Sequence, residues 1–185
     1  VNTLNAISAI FSFEMSIRLS TTGTLIYMYN DPSTDPFIPD QAGGTNRPDQ
    51  AGAAVAARFT PNSRYDIGHV FHQHKDGDGW GNGGIAQLES VCSNSGTFPA
   101  KGRGWSGAYT NVGNGWINLA THEFGHQFGA NHTFNGIGGS CTDAIAEHNS
   151  YEIGSGTTIM SYNGICDPDQ NIPSSDAADN YFHIK

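Results

Sequence analysis

The chain has 185 residues, enough for one domain with a real core. Its 17 acidic and 8 basic residues leave a formal charge of -9, which argues against nucleic acid or an anionic membrane as partner, because phosphate binding needs clustered Lys and Arg. Only 14% of residues are charged, against a usual ~25%, so the polar surface comes from Asn, Ser, Thr, Gln and Gly, as suits a loop-rich secreted protein.

No apolar run approaches the ~20 residues of a membrane span. No basic, apolar, then small-residue leader opens the chain, so an exported protein is read here as its mature chain or a piece of it. Cys92, Cys141 and Cys166 are too few for a disulfide scaffold and lack the paired spacing of a Cys-only zinc site. The plain reading is one disulfide and one leftover thiol.

Residues 1–16 read as a helix, with Leu4, Ile7 and Phe11 on one face. Ile17–Leu19 and Thr24–Tyr29 read as strands, being rich in β-branched and aromatic residues. Asn30 to Pro48 is a long Pro-, Asp- and Gly-rich loop, and Ala51–Arg58 a short helix. Tyr65–Phe71 reads as a buried strand, His74–Gly84 as a glycine-rich loop and Ile85–Val91 as the next strand. Ser93–Gly115 reads as irregular. Trp116–Phe128 is the strongest helix, since Ile117, Ala120, Thr121, Phe124 and Phe128 recur at three- and four-residue steps. Beyond Gly129 little regular structure is expected. Helix, strands and helix with crossover-length connections imply an α/β (α+β) fold on a mixed sheet, as a single domain over 1–185.

The chemistry concentrates in His122-Glu123-Phe124-Gly125-His126-Gln127-Phe128-Gly129-Ala130-Asn131-His132. His122 and His126, four apart on a helix, project from one face one turn apart and can share a metal ion. Glu123 lies beside a ligand but one step round the helix, so it addresses a water on the ion rather than the ion itself. Gly129, just past the last periodic residue, suits the left-handed conformation that ends a helix and turns the chain so that His132 returns to the metal. Three imidazoles with a fourth position open mark a catalytic rather than a structural zinc site. Chance would produce this spacing in about one chain of this length in 10^5 at ordinary residue frequencies.

Gly154-Ser-Gly-Thr-Thr-Ile-Met-Ser-Tyr162 follows. Together the two segments resemble the metzincin clan of zinc peptidases, most closely the bacterial adamalysin or reprolysin-like family. The resemblance implies a metzincin catalytic domain: a twisted mixed sheet with an antiparallel edge strand, a zinc-binding helix and a loop-rich C-terminal part with a Met-turn. It places Met160 as an apolar floor beneath the histidines. It makes the strand around 84–91, with Gly84, Ile85 and Ala86, the sheet edge that pairs with an extended substrate. It implies a zinc-activated water with Glu123 as general base, acting on peptide bonds of extracellular proteins by a secreted, monomeric enzyme. Two departures stand out. Snake-venom and animal adamalysins usually carry Asp after the third histidine, where this chain has Thr133. Tyr162 sits where astacins and serralysins have a tyrosine that swings from the metal to the reaction intermediate; its alternative is an ordinary packed tyrosine. Cys141 and Cys166 bracket the loop between the zinc helix and the Met-turn, and their pairing would pin the active-site floor.

Other features read more plainly. His69, His72 and His74 are expected to be satisfied or exposed histidines, with a second metal site as the alternative. Asp76-Gly77-Asp78-Gly79 resembles the opening of a calcium loop but lacks the downstream Glu, so it reads as a turn with calcium as the alternative. Asp167-Pro168-Asp169 is equally open. Trp80, Trp105 and Trp116 read as core or loop anchors. A non-catalytic zinc domain would normally have lost the Glu or a ligand, and neither is missing. A serralysin would normally add glycine-aspartate repeats downstream. The chain opens within its first helix and stops soon after the Met-turn, which is the expectation for a core fragment or one processed at both ends; Cys92 would then have lost its partner.

Overall fold

The computed structural model describes residues 2–31, 33–38, 47–74, 83–110, 112–172 and 179–182. The chain packs into two compact units, each assembled from separate stretches. The first takes Val1–Leu19, Val112–Gly125 and Ala130–Lys185, and the second Ser20–Asn111 and His126–Gly129.

In the first unit, helix α1 (Asn2–Met15) buries Ile7 and Phe11 completely, on the face that the apolar spacing predicts. Phe11 meets Phe124 and Phe182 edge-on, with centroids 6.5 and 5.2 Å away. Burying one such ring stabilises by about 1.5–3 kcal/mol. Trp116 is 4% exposed and its indole N–H donates to Thr3 Oγ1 at 3.1 Å, which satisfies the one polar atom the ring would otherwise strand. Beyond residue 129 the described chain is largely irregular, as expected, with one 3-10 turn at Gly139–Cys141 and a single bridge between Phe134 and Glu152. Its core is Phe134 with the Cys141–Cys166 disulfide, Cα atoms 5.0 Å apart, and Tyr162, Ala144 and Ile145 packed around it.

The second unit carries α2 (Arg47–Arg58) and three strands, β1 (Val70–Gln73), β2 (Gly83–Ala86) and β3 (Gly104–Ala108), in the order β1-β3-β2. β1 runs parallel to β3 and β2 antiparallel to it, with Trp105 level with both Val70 and Ile85. Trp105 is fully buried against Ala51, Phe37, Val70 and Ile85. The small mixed sheet with an antiparallel edge strand is the one the resemblance implies.

Several local expectations are corrected. Ile17–Leu19 is not a strand: the Ser8 hydroxyl donates to Leu19 O at 2.9 Å and accepts from Leu19 N–H at 3.1 Å, so α1 takes up the backbone groups a sheet would need. Thr24–Tyr29 is not a strand either. Gly23–Leu25 closes a 3-10 turn, and the Tyr27 and Tyr29 rings flank the Arg58 guanidinium at 4.0 and 5.1 Å. Two aromatics two residues apart here face a cation rather than a neighbouring strand. β1 lies further along than the stretch 65–71, and β2 ends at Ala86 rather than Val91.

The largest miss is β3, which lies inside the stretch read as irregular. Its Gly-Trp-Ser-Gly-Ala sequence has poor strand propensity, yet it is the central strand. A Cβ at Gly104 would lie 2.3 Å from His69 Nδ1 and 2.4 Å from Gln127 Oε1, and one at Gly107 2.3 Å from His74 Nε2. The glycines make room for polar side chains that cross the strand closely.

Candidate metal centre

Helix α3 (Asn114–Gln127) carries the first two histidines, and its unbroken backbone sets them one turn apart on one side. It ends in a Schellman closure: Gly129 N–H donates to His126 O at 2.9 Å and Ala130 N–H to Gly125 O at 2.9 Å. Gly129 has φ 98°, a left-handed conformation that a residue with a Cβ adopts only with strain. The chain reverses there and brings His132 back. One ring nitrogen from each of His122, His126 and His132 lies within 4.8 Å of the others, and no other such trio of His, Cys, Asp or Glu occurs among the described residues.

The rings are oriented from behind. His122 Nδ1–H donates to the carbonyl of Ile159 at 2.7 Å, and His132 Nδ1–H to the carbonyl of Ala144 at 2.6 Å. A carbonyl can only accept, so Nδ1 carries a proton in both rings, and in the neutral ring Nε2 then keeps its lone pair for a metal. Burial pulls His132 below the ordinary histidine value, against the bond to Ala144, which keeps the ring neutral. Three imidazoles fit a zinc ion, and they are the donor set of a catalytic site.

Glu123 is 4% exposed, and its Oε2 has no hydrogen-bond partner among the described residues. Burial pushes this carboxyl up to about 8; a cation beside it would draw it back down. Met160 is 2% exposed beneath α3, so close that a Cβ at Gly125 would meet its Sδ at 2.5 Å. Tyr162 stacks on Phe134 with centroids 4.5 Å apart and lies 4.6 Å from the His132 ring and 6.0 Å from His122. Burial, then the charge of Glu123, raises its phenol above the usual value, so it stays a protonated donor.

β2, with Gly84, Ile85 and Ala86, pairs with β3 on one side, and no strand lies on its other side among the described residues. The chain that follows runs along the end of α3: Glu89 N–H donates to His126 O at 3.1 Å and Ser90 N–H to Gln127 O at 2.9 Å.

His69 Nδ1 meets Gln127 Oε1 and its Nε2 meets Ser106 Oγ, both at 2.9 Å, while His72 lies against Trp105 and His74. Gln127 and Ser106 are both fully buried, so these two contacts of His69 lie in the protein interior. Asp167 and Asp169 are exposed, and Asp167 O accepts from Gln170 N–H in a turn. Asp76–Gly79 and Trp80 lie outside the described residues. Cys92 is an exposed free thiol.

Sequence reasoning did not find Glu152. Its buried carboxylate accepts from Thr157 N–H at 2.8 Å, Thr158 N–H at 3.2 Å and the hydroxyls of Thr133 and Thr158. The available signal was faint: a single acid just before Gly-Ser-Gly-Thr-Thr in a stretch poor in charge.

The family described as metallo-peptidase family M12B, reprolysin-like, matches residues 1–182. No curated protein and no solved structure matches the chain.

Proposed function

From the chain's membership of the M12B reprolysin-like metallopeptidases, a family of zinc-using peptide-bond hydrolases to which it belongs over residues 1–182, we propose that it is a secreted, monomeric endopeptidase of extracellular proteins with Glu123 as its general base. The observation that carries this reading is the convergence of His122, His126 and His132 with Glu123 buried beside them. No helix among the described residues is long and apolar enough to cross a membrane. The Cys141–Cys166 disulfide suits an oxidising compartment.

Zinc, when bound by the three histidines, supplies Lewis acidity toward the scissile carbonyl and brings the pKa of a water molecule toward ~7. The protein's own groups do the rest. Glu123 Oε2, buried and without a hydrogen-bond partner among the described residues, takes the proton of the attacking water. It then returns the proton to the leaving amine. Tyr162 keeps its phenolic proton and donates toward the oxygen on which negative charge develops. Gly84, Ile85 and Ala86 offer the open edge of β2 to an extended substrate backbone. Met160 holds α3 from below through its contact at Gly125.

The deciding experiment measures zinc content and casein hydrolysis for the protein and for Glu123→Ala. The variant is expected to keep its zinc and lose hydrolysis by about 10^3-fold or more. Full activity in a zinc-loaded Glu123→Ala protein would rule out the assigned base.

A further inference from the structure

Four donors converge on one side chain in the loop region. The Thr133 and Thr158 hydroxyls both reach Glu152 Oε1, and the Thr157 and Thr158 N–H groups reach Oε2 at 2.8 and 3.2 Å. A carboxylate has about four acceptor positions, and here all are used. The backbone of Glu152 joins the same assembly: its N–H donates to Thr133 O at 2.8 Å and its carbonyl accepts from Asn135 N–H at 2.9 Å.

What these contacts connect matters more than their number. Thr133 directly follows His132. Thr157 and Thr158 lead into Ile159, whose carbonyl orients His122, and Met160, whose carbonyl accepts from Thr133 N–H at 3.2 Å. One acid therefore links the backbone behind the third histidine to the turn behind the first. No regular element performs that task, because the described chain from 130 to 172 has almost none. The position after His132 supplies a hydroxyl donor, and the acid that receives it stands nineteen residues further along.

We propose that Glu152 is a positioning residue of the metal centre: its carboxylate locks the residue after His132 to the turn of Ile159 and Met160, holding His132 and His122 in the geometry that binds zinc. The inference rests on the histidines being the zinc ligands. Chelator-sensitive casein hydrolysis by the unaltered protein tests that reading separately, whatever happens at Glu152.

The test measures zinc affinity by competition with a chromogenic chelator, together with kcat and KM, for the whole chain carrying Glu152→Ala. Zinc affinity is expected to fall about 10- to 100-fold, and kcat to fall with KM unchanged, because substrate contacts are not touched. Adding Thr133→Asp, which returns an acid beside His132 at the residue whose hydroxyl shares Glu152 Oε1 with the Thr158 hydroxyl, is expected to recover most of the zinc affinity. A residue that served only packing would lower the melting temperature without changing zinc affinity, and Thr133→Asp would not rescue it. If Glu152→Ala does not fold, Thr133→Val decides in the same assay, since it removes one hydroxyl donor and leaves the carboxylate and its backbone bonds in place. Wild-type zinc affinity in the folded variant overturns the proposal.

Discussion

His122 and His126 are held by the repeating backbone bonds of α3, whereas His132 is held by single, unlike contacts: a Schellman turn at Gly129, the Ala144 carbonyl, a nearby disulfide and the Glu152 carboxylate. The difference is one of redundancy. In a helix, each residue's place is fixed by neighbours three and four away on both sides, so losing one contact moves little. In the stretch 130–172, each contact does a separate task. Perturbing the second region should therefore disturb the metal centre more than an equally costly change in the first.

The largest separable effect concerns the disulfide. Cys141 and Cys166 close a loop with a sequence separation of 25, and losing the link costs about 3 kcal/mol in the chain-entropy view. Replacing both by Ala should lower the urea midpoint accordingly and weaken zinc retention. An unchanged midpoint would show that hydrogen bonding alone holds the loop.

An effect of similar size is expected from pH, in the other unit. His69 is buried and bonded to Gln127 and Ser106, and burial pulls its pKa to about 4 from an ordinary 6.5. Between those values the unfolded chain binds a proton that the folded chain refuses. Stability from this group is thus intact above about 6.5, falls as pH drops toward 4, and levels off below. The fall is on the order of 3 kcal/mol. His69→Gln should flatten the melting temperature over that window. Glu152 acts lower: burial pushes its carboxyl up, but its four hydrogen bonds win and hold it below the ordinary 4.5, so its contribution persists above 4.5 and is lost only as pH falls through the lowered value.

Much of the helical region was legible because one physical rule governs both its pattern and its position. Apolar spacing gave α1 and α3, and the two histidines four apart on α3 followed from the same periodicity. Gly129 marked where the helix must stop. The strands were less legible. β3 has glycines where His69, His74 and Gln127 approach, so its composition reports close packing rather than strand propensity. Thr24–Tyr29 has strand composition, but its tyrosines enclose Arg58. Glu152 was hidden for another reason: its partners are separated from it by nineteen residues on one side and six on the other, with no period to reveal them.

Smaller changes sharpen the same comparison. Gly129→Ala forces a Cβ into the left-handed region at φ 98°, and within 3.1 Å of Glu89 Cγ. It should cost about 1–2 kcal/mol and weaken zinc binding beyond that cost, since it moves the return to His132. Thr3→Val removes the hydroxyl that accepts from the Trp116 indole N–H near the start of α3. It should cost about 1 kcal/mol and leave zinc affinity unchanged. A loss of zinc from Thr3→Val would contradict the claim that α3 buffers its own histidines.

The most direct measurement is zinc stoichiometry in the purified protein and in His132→Ala. The account predicts one zinc per chain in the first and a chelator-labile, largely zinc-free protein in the second, still folded because α3 does not depend on that ring. Full, tightly held zinc in folded His132→Ala would contradict the three-histidine centre.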